Sequence, residues 1–134
     1  MPIMLQRIKK QLRNLLSGRT FRSWRNLYVK VVSRLQCNNL RRLAELHGTD
    51  EFFAHNYIDV YEKHFHKFRK QPITFLEIGV GGYDDPQTGR ESLRMWKNYF
   101  VNGRIHTIDI FEKALHQQDR IRIYKESPAN LDFL

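Results

Sequence analysis

Apolar positions recur at three- and four-residue intervals along the first half of the chain and then give way to short continuous runs, so the pattern predicts helices followed by strands. Ile8, Leu12, Leu15 and Leu16 alternate with Arg7, Lys9, Lys10 and Arg13. This is an amphipathic basic helix over residues 3–16, which Ser17-Gly18 is expected to end. A second helical stretch, from about Arg22 to Leu35, carries Trp24, Leu27, Tyr28, Val31 and Leu35 on one face. Asn38 is a suitable N-cap for a third, which holds Leu40, Leu43, Ala44 and Leu46 and stops at Gly48. Phe53, Tyr57, Val60, Tyr61, His64, Phe65 and Phe68 then define a longer aromatic helix, which Pro72 prevents from continuing.

The period changes at Ile73. Residues 73–80 are apolar and β-prone, as a buried parallel strand requires. A glycine-rich loop with Asp84, Asp85 and Pro86 follows. A helix over Ser92–Phe100 directs Leu93, Trp96 and Phe100 inward, and Asn102-Gly103 makes the next turn. Residues 104–110 form a second strand, Glu112–Gln117 a short helix, and Arg120–Tyr124 a third strand. This order opens an α/β fold: a Rossmann-like doubly wound parallel sheet, incomplete at three strands and preceded by N-terminal helices.

Charge divides the chain. Residues 1–47 hold eleven Lys and Arg against one acidic residue, Glu45, whereas residues 48–134 hold twelve against thirteen. Residues 1–37 therefore read as a basic helical arm and residues 38–134 as a near-neutral domain. The arm has three readings: a solvated helical face, contact with an anionic membrane surface, or binding to nucleic acid, the last disfavoured because no recognition motif accompanies the charge. The single Cys37 excludes an internal disulfide and suits a reducing, cytoplasmic setting, with the thiol as a small buried hydrophobe. No apolar run reaches the length of a membrane span.

The chemistry concentrates in Leu76-Glu77-Ile78-Gly79-Val80-Gly81-Gly82-Tyr83, a strand that ends in an acid and a G-x-G-G turn. Glycines at a strand's carboxyl end let a ligand approach the backbone, and the following helix offers it an N-terminus. Asp109, twenty-seven residues beyond Gly82, falls at the tip of the second strand, where a carboxylate can accept hydrogen bonds from a ribose diol. That arrangement serves nicotinamide, flavin and S-adenosylmethionine cofactors alike, and a glycine turn can also be purely structural. Two features favour S-adenosylmethionine. Tyr83-Asp84-Asp85 replaces the spacing that suits a pyrophosphate, and its carboxylates could face an aminium group. An acid directly ahead of G-x-G is also the usual first motif of class I methyltransferases.

Residues 43–134 resemble the macrocin and mycinamicin type of O-methyltransferases, which methylate sugar hydroxyls. The resemblance rests on Gly48-Thr49-Asp50 with His55, Tyr57 and Tyr61, on the strand-and-glycine segment above, and on Ser92-Leu93-Arg94-Met95-Trp96-Lys97 leading to Ile108-Asp109-Ile110. It implies that Glu77, Gly79, Gly81, Gly82 and Tyr83 line the methionine end of S-adenosyl-L-methionine. It further implies that Asp109 holds the ribose, that Ser127 lies by the adenine, and that Thr49, Asp50 and Tyr57 belong to a cap over the cofactor. The chain departs from the family at Glu51, where a lysine is usual, and at Glu126-Ser127-Pro128-Ala129-Asn130, which stands where a Gly-Asp/Ser-Gln segment is usual. The family's magnesium ligands and catalytic base lie in an Asp-Asp-Gly-Ser-His segment and a later Glu-Asp pair. The chain is expected to stop before them and to contribute no catalytic or metal-binding residue.

The expected function is O-methyl transfer from S-adenosylmethionine to a hydroxylated or glycosidic small molecule, by an enzyme truncated before its catalytic segment. Two alternatives stay open: a non-catalytic remnant that still binds the cofactor, and a binding module whose basic arm docks on a membrane or polyanion. The exposed edge of a half-sheet also points to a homo-oligomer. Other candidates carry blander expectations. His64 and His66 are two apart and cannot chelate together from one helix. The aromatic stripe should be core, Trp96 should pack its helix on the sheet, and His106 should face a helix layer.

Overall fold

The structure is a computed structural model that describes residues 10, 11, 13–15, 17–49 and 57–130. They divide into two compact units, one ending at Gln36 and one beginning at Cys37.

The first unit is built on α1, Gly18–Leu35. Ser17 is its N-cap, with the Oγ accepting from the Thr20 amide at 3.4 Å. Ser17-Gly18 therefore starts a helix where the sequence suggested that one ends: the hydroxyl satisfies an amide of the turn that follows it. Phe21, Trp24 and Tyr28 line up along α1, with ring centroids 6.2 and 5.5 Å apart. The expected helix over residues 3–16 falls mostly outside the described residues.

The second unit opens with α2, Leu40–His47, and α3, Ile58–Phe65. The cap of α2 is Asn39, one residue later than expected, and its side chain accepts from the Arg42 amide at 2.9 Å. Gly48 ends α2 in the left-handed region at φ 75°, which glycine adopts without a Cβ penalty. Glu62 of α3 ties the two together, accepting from the Leu40 amide at 3.3 Å with Oε2 while Oε1 lies 3.0 Å from His66 Nδ1. The aromatic helix is shorter than its periodicity suggested. It begins at Ile58 and tightens into a single 3-10 turn, His66–Phe68, before Pro72. Phe53 lies outside the described residues.

Three parallel strands follow: β1, Thr74–Ile78; β2, Arg104–Asp109; and β3, Ile121–Lys125, in the order β1-β2-β3. Phe75 pairs with Ile105 and Ile105 with Ile121, while Ile78 pairs with Ile108 and Ile108 with Tyr124. Helix α4, Glu91–Tyr99, makes the crossover from β1 to β2. From β2 to β3 the connection narrows to one 3-10 turn, Ala114–His116, in place of the short helix expected there.

The core fills one side of the sheet. Leu93, Met95, Trp96 and Tyr99 of α4, with Phe100, pack with Leu40, Leu43 and Ala44 of α2 and with Ile105 and Ile121 of the sheet. Trp96 is the hub, with ring centroids 4.9 Å from Phe75, 5.4 Å from Tyr61 and 5.7 Å from Phe100. Of the aromatic stripe, Tyr61, Phe65 and Phe68 pack against this core, whereas Tyr57 and Val60 are exposed. Arg120, in the left-handed region at φ 62°, closes the far end of α4, its guanidinium donating to the carbonyls of Lys97, Phe100 and Gly103 at 2.9–3.0 Å.

The opposite side of the sheet is open only in part, for Ile108, level with Ile78, is buried. Leu76 and Ile78 are exposed there, and the His106 Nδ1 lies 3.2 Å from the Tyr124 hydroxyl. His106 therefore faces an open sheet surface rather than a helix layer. Its strand position was legible from the alternation of residues, but which face the helices cover was not.

Candidate functional site

The carboxyl ends of β1 and β2 and the loop between β1 and α4 form the candidate site. Gly79, Gly81, Gly82 and Gly89 all take positive φ, and so do Tyr83 and Arg90 at 45° and 101°. The four glycines divide by what surrounds them. A Cβ on Gly82 would lie 2.2 Å from the Thr88 hydroxyl, and one on Gly89 would lie 2.4 Å from the Gly81 carbonyl oxygen. These two let the loop fold back on itself. A Cβ on Gly79 or Gly81 would meet nothing within 4 Å. They leave open space beside the backbone, where a ligand can approach closely.

Asp109 joins the two strand tips. Its Oδ2 accepts from the Val80 amide at 2.7 Å and its Oδ1 from the Phe111 amide at 2.8 Å, and the residue is only 7% exposed. Each oxygen keeps further acceptor capacity. The carboxylate nevertheless holds the loop shape, a role that strand position and residue type do not reveal. At the tip of β3 the Glu126 amide donates to the Asp109 carbonyl at 2.9 Å, which brings the third strand end to the same place. The Glu126 carboxyl is held below its ordinary range by the Ser127 amide and then by the Asn130 side chain.

The loop rests on residues that the sequence did not single out. Lys113 is fully buried, and its ammonium donates to the carbonyls of Asp85 at 2.6 Å and Thr88 at 3.2 Å. His116 Nε2 lies 3.2 Å from the same Thr88 carbonyl, which fixes it as the donor. Burial pushes the His116 pKa down, and the neighbouring Arg90, Lys113 and Arg94 lower it further, against the raising effect of its hydrogen bond to Thr88. Thr88 Oγ1 donates to the Gly82 carbonyl at 3.1 Å, closing the loop from within. A lysine three residues before a histidine after an acidic strand tip carries no motif, so nothing in the sequence marks this pair.

The remaining candidates are scattered. Glu77 lies half-buried on β1, level with Thr107 of β2. Tyr83 projects from the loop, 84% exposed. Ser127 follows β3, its Oγ accepting from the Ala129 amide at 3.2 Å. Thr49 is buried, its hydroxyl 3.9 Å from the Met95 sulfur on α4, so it packs within the core. Tyr57 precedes α3 with its ring 6.0 Å from that of Tyr61. Asp50 lies outside the described residues. Asp85 turns its carboxylate to the Gln87 amide at 2.9 Å within the loop. Among the described residues, no three His, Cys, Asp or Glu side chains come together as a metal-ligand set.

An open glycine turn at one strand tip beside a buried acid at the next is the ligand-binding end of a Rossmann-like α/β sheet. Comparison with known proteins names the kind. The chain is homologous to the macrocin and mycinamicin type of sugar O-methyltransferases over 69–72% of its length, although it spans only about a quarter of theirs. It is 45% identical over 95 residues to the 8-demethyl-8-alpha-L-rhamnosyl tetracenomycin-C 2'-O-methyltransferase of Streptomyces olivaceus, covering 69% of this chain and 25% of that one. It is 39% identical over 97 residues to the mycinamicin VI 2''-O-methyltransferase of Micromonospora griseorubida, covering 72% and 24%. Among solved structures it matches the MycE methyltransferase of the mycinamycin biosynthetic pathway, in complex with Mg, SAH and mycinamycin VI, at TM-score 0.68 and 38% identity over 71% of this chain and 26% of that one. No protein-family model matches the chain.

Proposed function

We propose that this chain provides the S-adenosylmethionine-binding portion of an O-methyltransferase that acts on a hydroxyl of a glycosylated small molecule. The observation that carries the reading is the match to MycE, a structure holding SAH, by a chain whose Gly79 and Gly81 leave open space beside the buried Asp109. Gly79 and Gly81 would admit the methionine end against bare backbone. Glu77 would meet its aminium group. Asp109 would offer its remaining acceptor sites to the ribose while its existing bonds keep the loop in place. Ser127 would sit toward the base, at the third strand tip.

The bound cofactor supplies a methyl group on a sulfonium, an electrophile that needs only an aligned hydroxyl nucleophile. The chain's part is positioning: a fixed loop holds the donor in one orientation. The roles proposed for this chain's own residues end at the cofactor.

Calorimetric titration of the full chain with S-adenosylmethionine and with SAH tests the reading. Saturable binding is expected, and Glu77→Gln should weaken it at least about tenfold, the loss of one charge-assisted contact. The absence of binding to either ligand overturns the reading. A companion assay, methyl transfer to a deoxysugar glycoside, reports whether the chain also turns over.

A further inference from the structure

We propose that α1 is a docking helix for an anionic lipid surface, a function separate from the cofactor site and independent of it. Phe21, Trp24, Leu27, Tyr28, Val31 and Leu35 fall along one side of the helix at three- and four-residue spacing. Much of that side meets water: Leu27 is 62%, Val31 48% and Leu35 74% exposed. An apolar stripe of this kind is costly to leave bare and marks a binding surface.

Charge identifies the occupant. Gly18–Leu35 holds Arg19, Arg22, Arg25, Lys30 and Arg34, all exposed, and no acidic residue. A second copy laid on the stripe would set five cations against five, so self-pairing is opposed by like charge. A nucleic acid would satisfy the cations but leave the leucines and aromatics in water. An anionic bilayer answers both features, taking the apolar side below its headgroups and the cations among its phosphates. A shallow cavity of about 310 Å³ lined by Lys10, Arg13, Phe21, Trp24 and Arg25 adds an apolar floor with a cationic rim, suited to a phosphate headgroup. Among the described residues no helix is long and apolar enough to cross a membrane, so the contact lies in the plane of the surface. The helix is about 27 Å long, at ~1.5 Å per residue.

The full chain should be mixed with vesicles of phosphatidylcholine alone and of equal parts phosphatidylcholine and phosphatidylglycerol, and sedimented. Binding to the anionic vesicles should exceed that to neutral ones at least about tenfold and fall with added salt. Trp96 is buried at 2% exposure, so a blue shift and quenching by brominated lipid report Trp24. Leu27→Asp and Leu35→Asp alter exposed positions and should leave the circular dichroism unchanged, yet each should cut binding at least about tenfold. The proposal is overturned by absence of binding to the anionic vesicles, by binding that either Asp variant leaves intact, or by chain dimerisation that both variants abolish. Double-stranded DNA that competes equally with the vesicles, with no sensitivity to the Asp variants, overturns it too.

Discussion

Asp109 has a double duty, and substituting it separates the two parts. Asparagine keeps the shape but offers one acceptor oxygen where two amides need one each. Whichever way the amide turns, either Val80 N–H, bound at 2.7 Å, or Phe111 N–H, bound at 2.8 Å, faces a donor instead of an acceptor. Losing a hydrogen bond to a charged group costs about 1.5–3 kcal/mol, and the surviving bond weakens when the charge goes. Val80 is only 4% exposed, so water cannot readily replace the lost partner. Asp109→Asn should therefore destabilise the second unit by about 2–4 kcal/mol. For a unit of this size that is a fall in melting temperature of about 10–20 °C. Differential scanning calorimetry reads the fall, and amide hydrogen exchange at Val80 should accelerate in the same variant. A carboxylate serving only as a ligand group would leave both unchanged. A melting temperature within about 3 °C of the parent, with Val80 exchange unaltered, would refute the loop-holding role. Loss of cofactor binding in this variant would then follow partly from the displaced loop, so Glu77→Gln is the cleaner test of ligand contact.

The glycines should divide in the same way. Gly81→Ala puts a methyl into open space and should weaken SAH binding while costing about 1–2 kcal/mol from its positive φ. Gly82→Ala drives the methyl into Thr88 and should cost more stability than that; equal melting temperatures for the two would contradict the geometry. Tyr83→Gly should stabilise the second unit by about 1 kcal/mol of relieved left-handed strain, read as a slightly higher melting temperature, because an 84% exposed ring has little packing to lose; a drop would show that the ring is held. Lys113→Met removes the ammonium from two carbonyls and should loosen the loop by about 2–4 kcal/mol, seen as faster proteolysis between Tyr83 and Gly89. His116 has a pKa below 6.5 in the fold, so the unfolded chain binds its proton more readily. The associated stability is complete above about pH 6.5 and declines as the pH falls below it. Melting temperatures of the parent and His116→Gln should converge on acidification, and parallel curves would exclude the effect.

The sequence was most informative where one physical signal dominated. The apolar run at Ile73 and the buried face of Leu93, Trp96 and Phe100 each follow from burial, and the structure has all four residues in or against its core. The parallel sheet could be written down because alternating strands and helices with short connections leave few alternatives. Caps were harder. Asn38 and Asn39 are chemically identical candidates, and only the geometry of the Arg42 amide selects Asn39. Ser17-Gly18 reads equally well as a stop or a start, since serine caps the front of a helix and glycine follows the back of one. The resemblance implies a place for Thr49 in a cap over the cofactor, and the left-handed turn at Gly48 carries it under α4, with its hydroxyl 3.9 Å from the Met95 sulfur.

The site shows the same division at finer scale. Glycines and an acid at two strand tips are visible because their spacing along the chain is set by one crossover. The support for that loop is not visible, because Lys113 and His116 reach it from the connection before the third strand and act through backbone carbonyls, which carry no residue identity. A buried ammonium satisfied by carbonyls rather than by a carboxylate is an expensive arrangement. It persists only where something gains from a fixed backbone, and the backbone it fixes is the loop that leaves space at Gly79 and Gly81. Asp109 holds the same loop from the other end through Val80. Two buried charged groups of opposite sign, on either side of one loop, thus spend folding free energy on its shape before any ligand arrives. That is the form preorganisation takes when the ligand must be held in a single orientation.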